Sequence, residues 1–277
     1  MNMIDDEARA VARAIDRAIG YADSGPLIWT SGAYEEQFQH SLIAHSLFGL
    51  GDKPRRVLPG GYVSRSFIKP PVKNEERESS HPVPIEINAV DSSRMGLWPF
   101  LDDTERLPEE RERIDAHRIR IVRRMTDNLG QALCKSLNQF TLRLLNAVVD
   151  QEDQKLKWHS SQDQIVARLR NGWSLLRPET EDAFALGYDL TRHNLKCEAN
   201  ASLDPHIAFL YGPPEDLGVW KRAPEVRLVA WADGRDLTYG LSALLYCGQS
   251  VLDPKLLFAV DLGTAPRLSV SNCRSPA

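Results

Sequence analysis

The order of apolar and polar residues in this chain specifies an α+β protein. A stripe of apolar residues at helical spacing runs from Val122 to Val148. A Gly- and Pro-punctuated, charged stretch from Gly49 to Pro84 holds too little apolar content to pack a core of its own. From Val226 to Asn272, short strand-like runs alternate with turn residues.

The totals bound the function. At 277 residues, 42% hydrophobic and 26% charged, the chain is long enough to bury a proper core. A net charge of -4 and a pI near 6.0 argue against a dedicated nucleic-acid binder, which would carry a strongly basic face. No apolar run approaches a membrane span, and the acidic start MNMIDDEARAVARAIDRAIGYA lacks the basic region of a secretory signal. The expectation is a protein of the cytosol or of something assembled there. Cys134, Cys197, Cys247 and Cys273 lie far apart with no CxxC pair, which predicts neither a zinc site nor a disulfide framework. Cys134, beside Leu133, reads as a small buried side chain.

In chain order, Ala8, Val11, Ala12, Ile15, Ala18 and Ile19 predict a first helix ending near Tyr21. EEQFQHSLIAHSLFGLG predicts a second. Its His40 and His45 stand about 140° apart round a helix and so do not form a ligand pair. Within the Gly/Pro-rich stretch only YVSRSFI reads as a strand, and the stretch as a whole reads as an arm that orders by pairing with a neighbour. PVPIEINAV then predicts a short strand leaving the arm, with Trp98 and Phe100 as local anchors. DDTERLPEERERID predicts a solvated turn or short helix.

Next, Ile119 and Ile121 alternate with Arg118 and Arg120, which predicts a strand leading straight into the long helix. That helix should have seven or eight turns, about 40 Å, with Arg123, Arg124, Asp127, Asn128, Lys135, Asn138 and Arg143 on its polar face. QEDQKLKWHSSQDQ reads as a connection. RPETEDAFALGYDLTRHNL predicts a helix started by Thr180 and Glu181, with Phe184, Leu186 and Leu190 on its apolar side. LKCEANASLDPHIAFLYG predicts a strand, a turn at Asp204-Pro205 and a short helix. VRLVAWA, LSALLYCGQSVL, KLLFAVDLG and RLSVSN predict strands paired antiparallel across short links.

Chemistry is sparsely marked. The chain holds no GxGxxG, GxxxxGK[ST], HExxH or GxSxG. Glu86 and Asp91, with Lys69 or Lys73 upstream, allow a metal-dependent nuclease reading, and Asp189, His193 and Cys197 allow a thiol site. The acidic pair lacks a following lysine on the same strand, and triplets like the second arise often in a chain of this composition. No catalytic residue, cofactor or metal ligand is expected.

Three stretches together resemble the major capsid proteins of tailed bacteriophages with the Hong Kong 97 fold. PVPIEINAV (Pro82 to Val90) is similar to the strand that closes their extended loop. RIRIVRRMTDNLGQALCKSLNQFTLRLLNAV resembles their long spine helix with the strand that enters it. NASLDPHIAFLYG, with LTYGLSALLYCGQSVLDPKLLFAVDLGTAPRLSVSN, resembles the strands near the family's C-terminus. The first fifty residues depart from the pattern in being more helical than a typical capsid arm.

The resemblance implies a spine helix, an extended loop and a C-terminal mixed or antiparallel sheet domain. It implies four parts: an N-terminal helical arm (1–48), the extended loop (49–90), a peripheral domain with the spine helix (91–160) and an axial-type α/β domain (161–277). The implied function is a shell protein that assembles with copies of itself, as pentamers and hexamers, into an icosahedral head in the host cytoplasm. Scaffolding, portal and decoration proteins are the further partners implied. DNA would be enclosed only non-specifically, since a mildly acidic body attracts it little, and no membrane is involved. Arg55, Arg56, Arg65 and Lys69 on the arm are then candidates to pair with Glu109, Glu110 and Glu112 of a neighbour. The alternatives are a small α/β metal-dependent nuclease or other enzyme, and an encapsulin-like compartment protein.

Overall fold

The chain opens with α1 (Asp5–Ile19), whose Ala8, Val11, Ala12, Ala14 and Ile15 are buried, as the helical spacing predicts. In this computed structural model the residues described are 5–20, 27–30, 42–50, 62–63, 85–99, 107–152, 154–160, 162–169 and 172–263. After α1 come β1 (Leu27–Thr30), the short helix α2 (Ile43–Leu47), β2 (Gly49–Leu50), β3 (Tyr62–Val63) and β4 (Ile85–Arg94). The expected helix over EEQFQHSLIAHSLFGLG is confirmed only at α2, and the strand expected over YVSRSFI only at β3. Residues 31–41 and 64–84 lie outside the described ones.

A single helix, α3 (Pro108–Gln151), then runs for 44 residues, about 66 Å at 1.5 Å per residue. The strand expected at Arg118–Ile121 does not exist, because those residues are part of this helix. Arg118, Ile119, Val122, Met125, Thr126 and Leu129 form one buried stripe at helical spacing. Counting Arg118 as a solvent-facing residue broke that stripe and left a false alternation. Its burial, to 3% exposure, is possible because it meets a carboxylate of α1, Asp16. PEERERID accordingly forms the first turns of α3, with Pro108 at its first position and Glu109 and Glu110 facing the positive end of the helix dipole. Asn138, expected on the polar face, is instead 1% exposed.

Two sheets pack around this rod. The first has the order β1-β9-β10-β3, where β9 is Gly218–Asp233 and β10 is Thr238–Val251. Here β2 also pairs with β9, and β4 with β10. The β9–β10 hairpin is antiparallel, as expected. Gly240 fits between strands so closely that an added Cβ would lie 2.4 Å from the Asp91 carbonyl oxygen. Both α1 and α3 lie on this sheet and share one core with it, including Leu129, Leu133, Leu137, Leu228, Leu241 and Leu245. Full burial of each leucine is worth about 1.5–3 kcal/mol.

The second sheet has the order β5-β11-β8-β6-β7, from β5 (Lys155–Lys157), β6 (Ser174–Arg177), β7 (Lys196–Ala199), β8 (Ile207–Tyr211) and β11 (Leu257–Asp261). KLLFAVDLG therefore leaves the hairpin's sheet and pairs antiparallel with β8 and parallel with β5. RLSVSN lies outside the described residues. QEDQKLKWHSSQDQ is more than a connection, since it supplies β5 and leads into α4 (Gln162–Arg168).

HIAFLYG is strand β8 rather than a helix. Phe209 and Tyr211 face the α3 core, while Ala208 and Leu210 face a second core. A strand buried on both faces loses the two-residue period that would have marked it. Asp204 still makes the expected turn, its carboxylate accepting from the His206 amide at 2.8 Å. On the outer face of this sheet lie α4 and α5 (Glu181–Thr191). Thr180 caps α5, accepting from the Ala183 amide at 3.4 Å. The buried stripe of α5 is Ala183, Leu186, Gly187 and Leu190, and Phe184, expected among them, is 62% exposed.

Candidate functional site

Along its edge away from β9, β10 holds two separate segments. Ile85 to Arg94 pair antiparallel with Cys247 to Thr238, and Tyr62 and Val63 pair antiparallel with Val251 and Ser250. Because β3 and β4 point the same way on the same edge, they are two halves of one interrupted edge strand. Continuing the register of β3 would place Ser66 opposite Cys247, where Ile85 stands, so 19 residues are surplus to the edge. Val63 and Ile85 stand opposite residues only three positions apart on β10, about 10 Å at the strand rise. Arg65 and Lys69 fall in the stretch between Val63 and Ile85, and Arg55 and Arg56 precede β3. All four lie outside the described residues.

Their expected partners are placed. Leu107 through Arg113 are exposed, so Glu109, Glu110 and Glu112 stand on about two exposed turns at the start of α3. Just beyond them, Asp115 Oδ2 accepts from Arg9 of α1 at 2.9 Å.

Behind this end the rod is fixed by buried polar contacts. Trp98 is the local anchor that the sequence points to. It is 3% exposed, donates from Nε1 to Asp16 Oδ1 at 2.8 Å, and lies 5.2 Å beneath the Arg118 guanidinium and 5.2 Å from the Tyr239 ring. Phe100 lies outside the described residues. Asn138 Oδ1 accepts from the Ile43 amide at 2.9 Å, and its Nδ2 donates to Ser202 Oγ at 3.0 Å. Gln249 of β10 donates to Thr141 Oγ1 at 2.9 Å, fully buried. These ties join α1, α2, α3 and β10 at points that geometry can tell apart, which apolar packing alone would leave free to slide.

The catalytic alternatives fare poorly in this geometry. Glu86 and Asp91 are an odd number of residues apart on β4, so they point to opposite faces about 16 Å apart. Glu86 stands on the outer face, and Asp91 turns inward to accept from Asn128 Nδ2 at 3.1 Å. Asp189 and His193 are exposed, while Cys197 donates from Sγ to the Gly187 and Leu195 carbonyls. Burial pushes the Cys197 thiol up, against the thiolate that a nucleophile needs. His45 is half-buried, edge-on to Trp220 at 5.2 Å, and burial pushes its pKa down. His40 lies outside the described residues.

The residues that fix the rod were only partly visible beforehand. Asn138 falls on the stripe of Cys134, Thr141 and Leu145, and that position was the available signal. Nothing in the local pattern marks Asp16 as the partner of Arg118.

Compared with known protein families and with curated proteins, the chain matches none. Among solved structures it is similar to a phage-related protein from Bordetella bronchiseptica, at 9% identity and TM-score 0.46, covering 87% of this chain and 99% of that one. It is also similar to the satellite phage P4 procapsid including size determination protein, at 10% identity and TM-score 0.43, covering 84% and 90%. A third is the holo-SrpI encapsulin complex from Synechococcus elongatus, at 16% identity and TM-score 0.41, covering 75% and 84%.

Proposed function

We propose that this chain is a structural shell subunit, the major capsid protein of a tailed phage, which assembles with copies of itself into a closed icosahedral head around DNA. The observation that carries the reading is the edge of β10: Val63 and Ile85 stand three positions apart on it, and the chain between them is 19 residues longer than that gap needs. A segment of that length with both flanks paired to one edge is what an arm needs if it is to lie on a neighbour. The 44-residue helix supplies a stiff span across the subunit, and the buried polar ties hold it in place. Head-to-tail contacts of this kind close into rings. Many weak contacts repeated over a shell hold it without any tight pair.

In this reading Arg55, Arg56, Arg65 and Lys69 pair with Glu109, Glu110 and Glu112 of the next subunit. The role is mechanical rather than catalytic. Scaffolding, portal and decoration proteins are its further partners, and assembly takes place in the host cytoplasm. The four-part division, with arm 1–48, loop 49–90, peripheral part 91–160 and axial part 161–277, is proposed with two qualifications. The helix α1 is seated on the body, and β9 and β10 complete the sheet that β4 belongs to.

The test is negative-stain microscopy of the purified protein beside a variant with residues 66–84 excised. Wild type is expected to form rings or closed particles, and the variant to keep its circular dichroism and melting curve while failing to assemble. A wild type that stays monomeric at high concentration overturns the reading. The contents of the particles, DNA or a protein cargo, separate a phage head from an encapsulin-like compartment.

A further inference from the structure

Between the end of α4, strands β5 and β11 and the turn Pro254–Leu256 lies a cavity of about 580 Å³. A volume in this range accepts a small ligand or a bulky side chain with its neighbours. Its apolar wall is Leu156, Trp173, Leu256 and Phe258, with the Trp173 and Phe258 rings stacked at 5.9 Å and 26°. Gln154 stands at a fixed point beside that wall. Its amide donates to the Val149 carbonyl and its carbonyl accepts from the Ala259 amide, each at 3.0 Å. The side-chain Oε1 is buried and accepts from no donor among the described residues. Because the terminal torsion of a glutamine is soft, turning this amide into the cavity forfeits no hydrogen bond, and an N–H brought to it there adds one.

The charges that line the cavity carry both signs, but they are not equally engaged. Asp253 caps its own turn, Oδ1 accepting from the Lys255 amide at 3.0 Å, and Glu152 is already partnered. Arg168 and Lys255 are exposed and form no ion pair among the described residues. The Arg168 guanidinium lies 4.5 Å above the Phe258 ring, so a cation stands directly beside the apolar wall. The charges left to meet a ligand are therefore positive. We propose that this cavity docks a short acidic segment of a different protein. One bulky apolar side chain of that segment seats against Leu156, Trp173 and Leu256, a backbone N–H reaches Gln154, and carboxylates pair with Arg168 and Lys255. A peptide offers these three groups in succession along one chain. The site concerns a foreign segment rather than a contact between copies, so it stands independently of the shell reading.

The experiment is isothermal titration calorimetry of the full chain with an acetylated, amidated pentapeptide, Asp-Glu-Phe-Glu-Asp. Two control peptides have alanine at the centre or lysine at the four flanks. Wild type is expected to bind the first peptide about tenfold or more tighter than either control, and less tightly as salt is raised. Lys255→Glu, at an exposed position, is expected to fold normally and to lose about tenfold in affinity, and Arg168→Glu likewise. Gln154→Met removes an oxygen that has no partner in the free protein, so it is expected to melt no lower than wild type while binding about fivefold more weakly. A wild type that takes up none of the first peptide at millimolar concentration overturns the site. So do equal affinities for the three peptides, or folded variants that bind as tightly as wild type.

Discussion

Asn138 closes the first turn of α2 from another element, its Oδ1 accepting the Ile43 amide at 2.9 Å where the helix's own N-cap, Leu42, has no side-chain oxygen to offer. The tie spans 95 residues of sequence and is buried. Asn138→Ala leaves that amide without an acceptor in the core, and is expected to lower unfolding free energy by about 1–3 kcal/mol. Ser202, another partner of Asn138, is exposed, so Ser202→Ala is expected to cost less than about 1 kcal/mol. Urea midpoints at unchanged slope measure both, and equal losses would show that the buried amide is not the source.

On α5 the buried side runs through Ala183, Leu186, Gly187 and Leu190. Leu186→Ala is therefore expected to cost about 2–5 kcal/mol, while Phe184→Ser stays within about 1 kcal/mol. Chemical unfolding of the two variants checks the order, and a Phe184→Ser loss matching that of Leu186→Ala would reverse the assignment of faces.

Phe184 shows where sequence reasoning stops. Its stripe was legible, but an aromatic residue one position off the stripe reads as apolar whether or not anything covers it; here the Arg177 guanidinium lies 5.3 Å from its ring. The same limit hid the start of α3. Arg118 interrupts the hydrophobic period, and only its contact with Asp16, 102 residues away, explains its burial. Strand β8 was missed for the opposite reason, since both its faces are covered and no polar residue marks a period. Elements with one wet face, such as α1 and the β9–β10 hairpin, were the legible ones. The edge was half legible: YVSRSFI and PVPIEINAV each read as strands, but that Tyr62–Val63 and Ile85–Arg94 lie on one edge of β10 is a long-range fact.

Burial pushes the Cys247 thiol up from 9.0 to about 12, and the Cys134 thiol up to about 11. Below pH 9 the thiols are neutral whether the chain is folded or not, and their burial contributes fully. As pH rises past 9 the unfolded chain releases these protons and the folded chain keeps them, so stability falls until the folded pKa is passed. For Cys247 the loss approaches about 1.4 kcal/mol per pH unit. Cys247→Ala is expected to be less stable than wild type at pH 8 and to close the gap by pH 10.5. Urea unfolding at the two pH values reads this directly, and a constant gap would mean that the thiol ionises alike in both states.

The surplus of 19 residues between β3 and β4 also sets how the edge tolerates shortening. Excising 66–84 puts Arg65 and Ile85 next to each other opposite Gly248 and Cys247, so the edge becomes one continuous strand. Excising only 67–84 leaves one residue too many. The strand cannot absorb it by slipping, because a shift of one position would turn the buried Ile87 and Ala89 outward and bring Glu86 and Asn88 in. The extra residue must then sit as a bulge with a ladder hydrogen bond unmade, at a cost of about 0.5–1.5 kcal/mol. Melting curves of the two variants are expected to place the 19-residue excision above the 18-residue one. Were the order reversed, β3 and β4 would not be halves of a single strand.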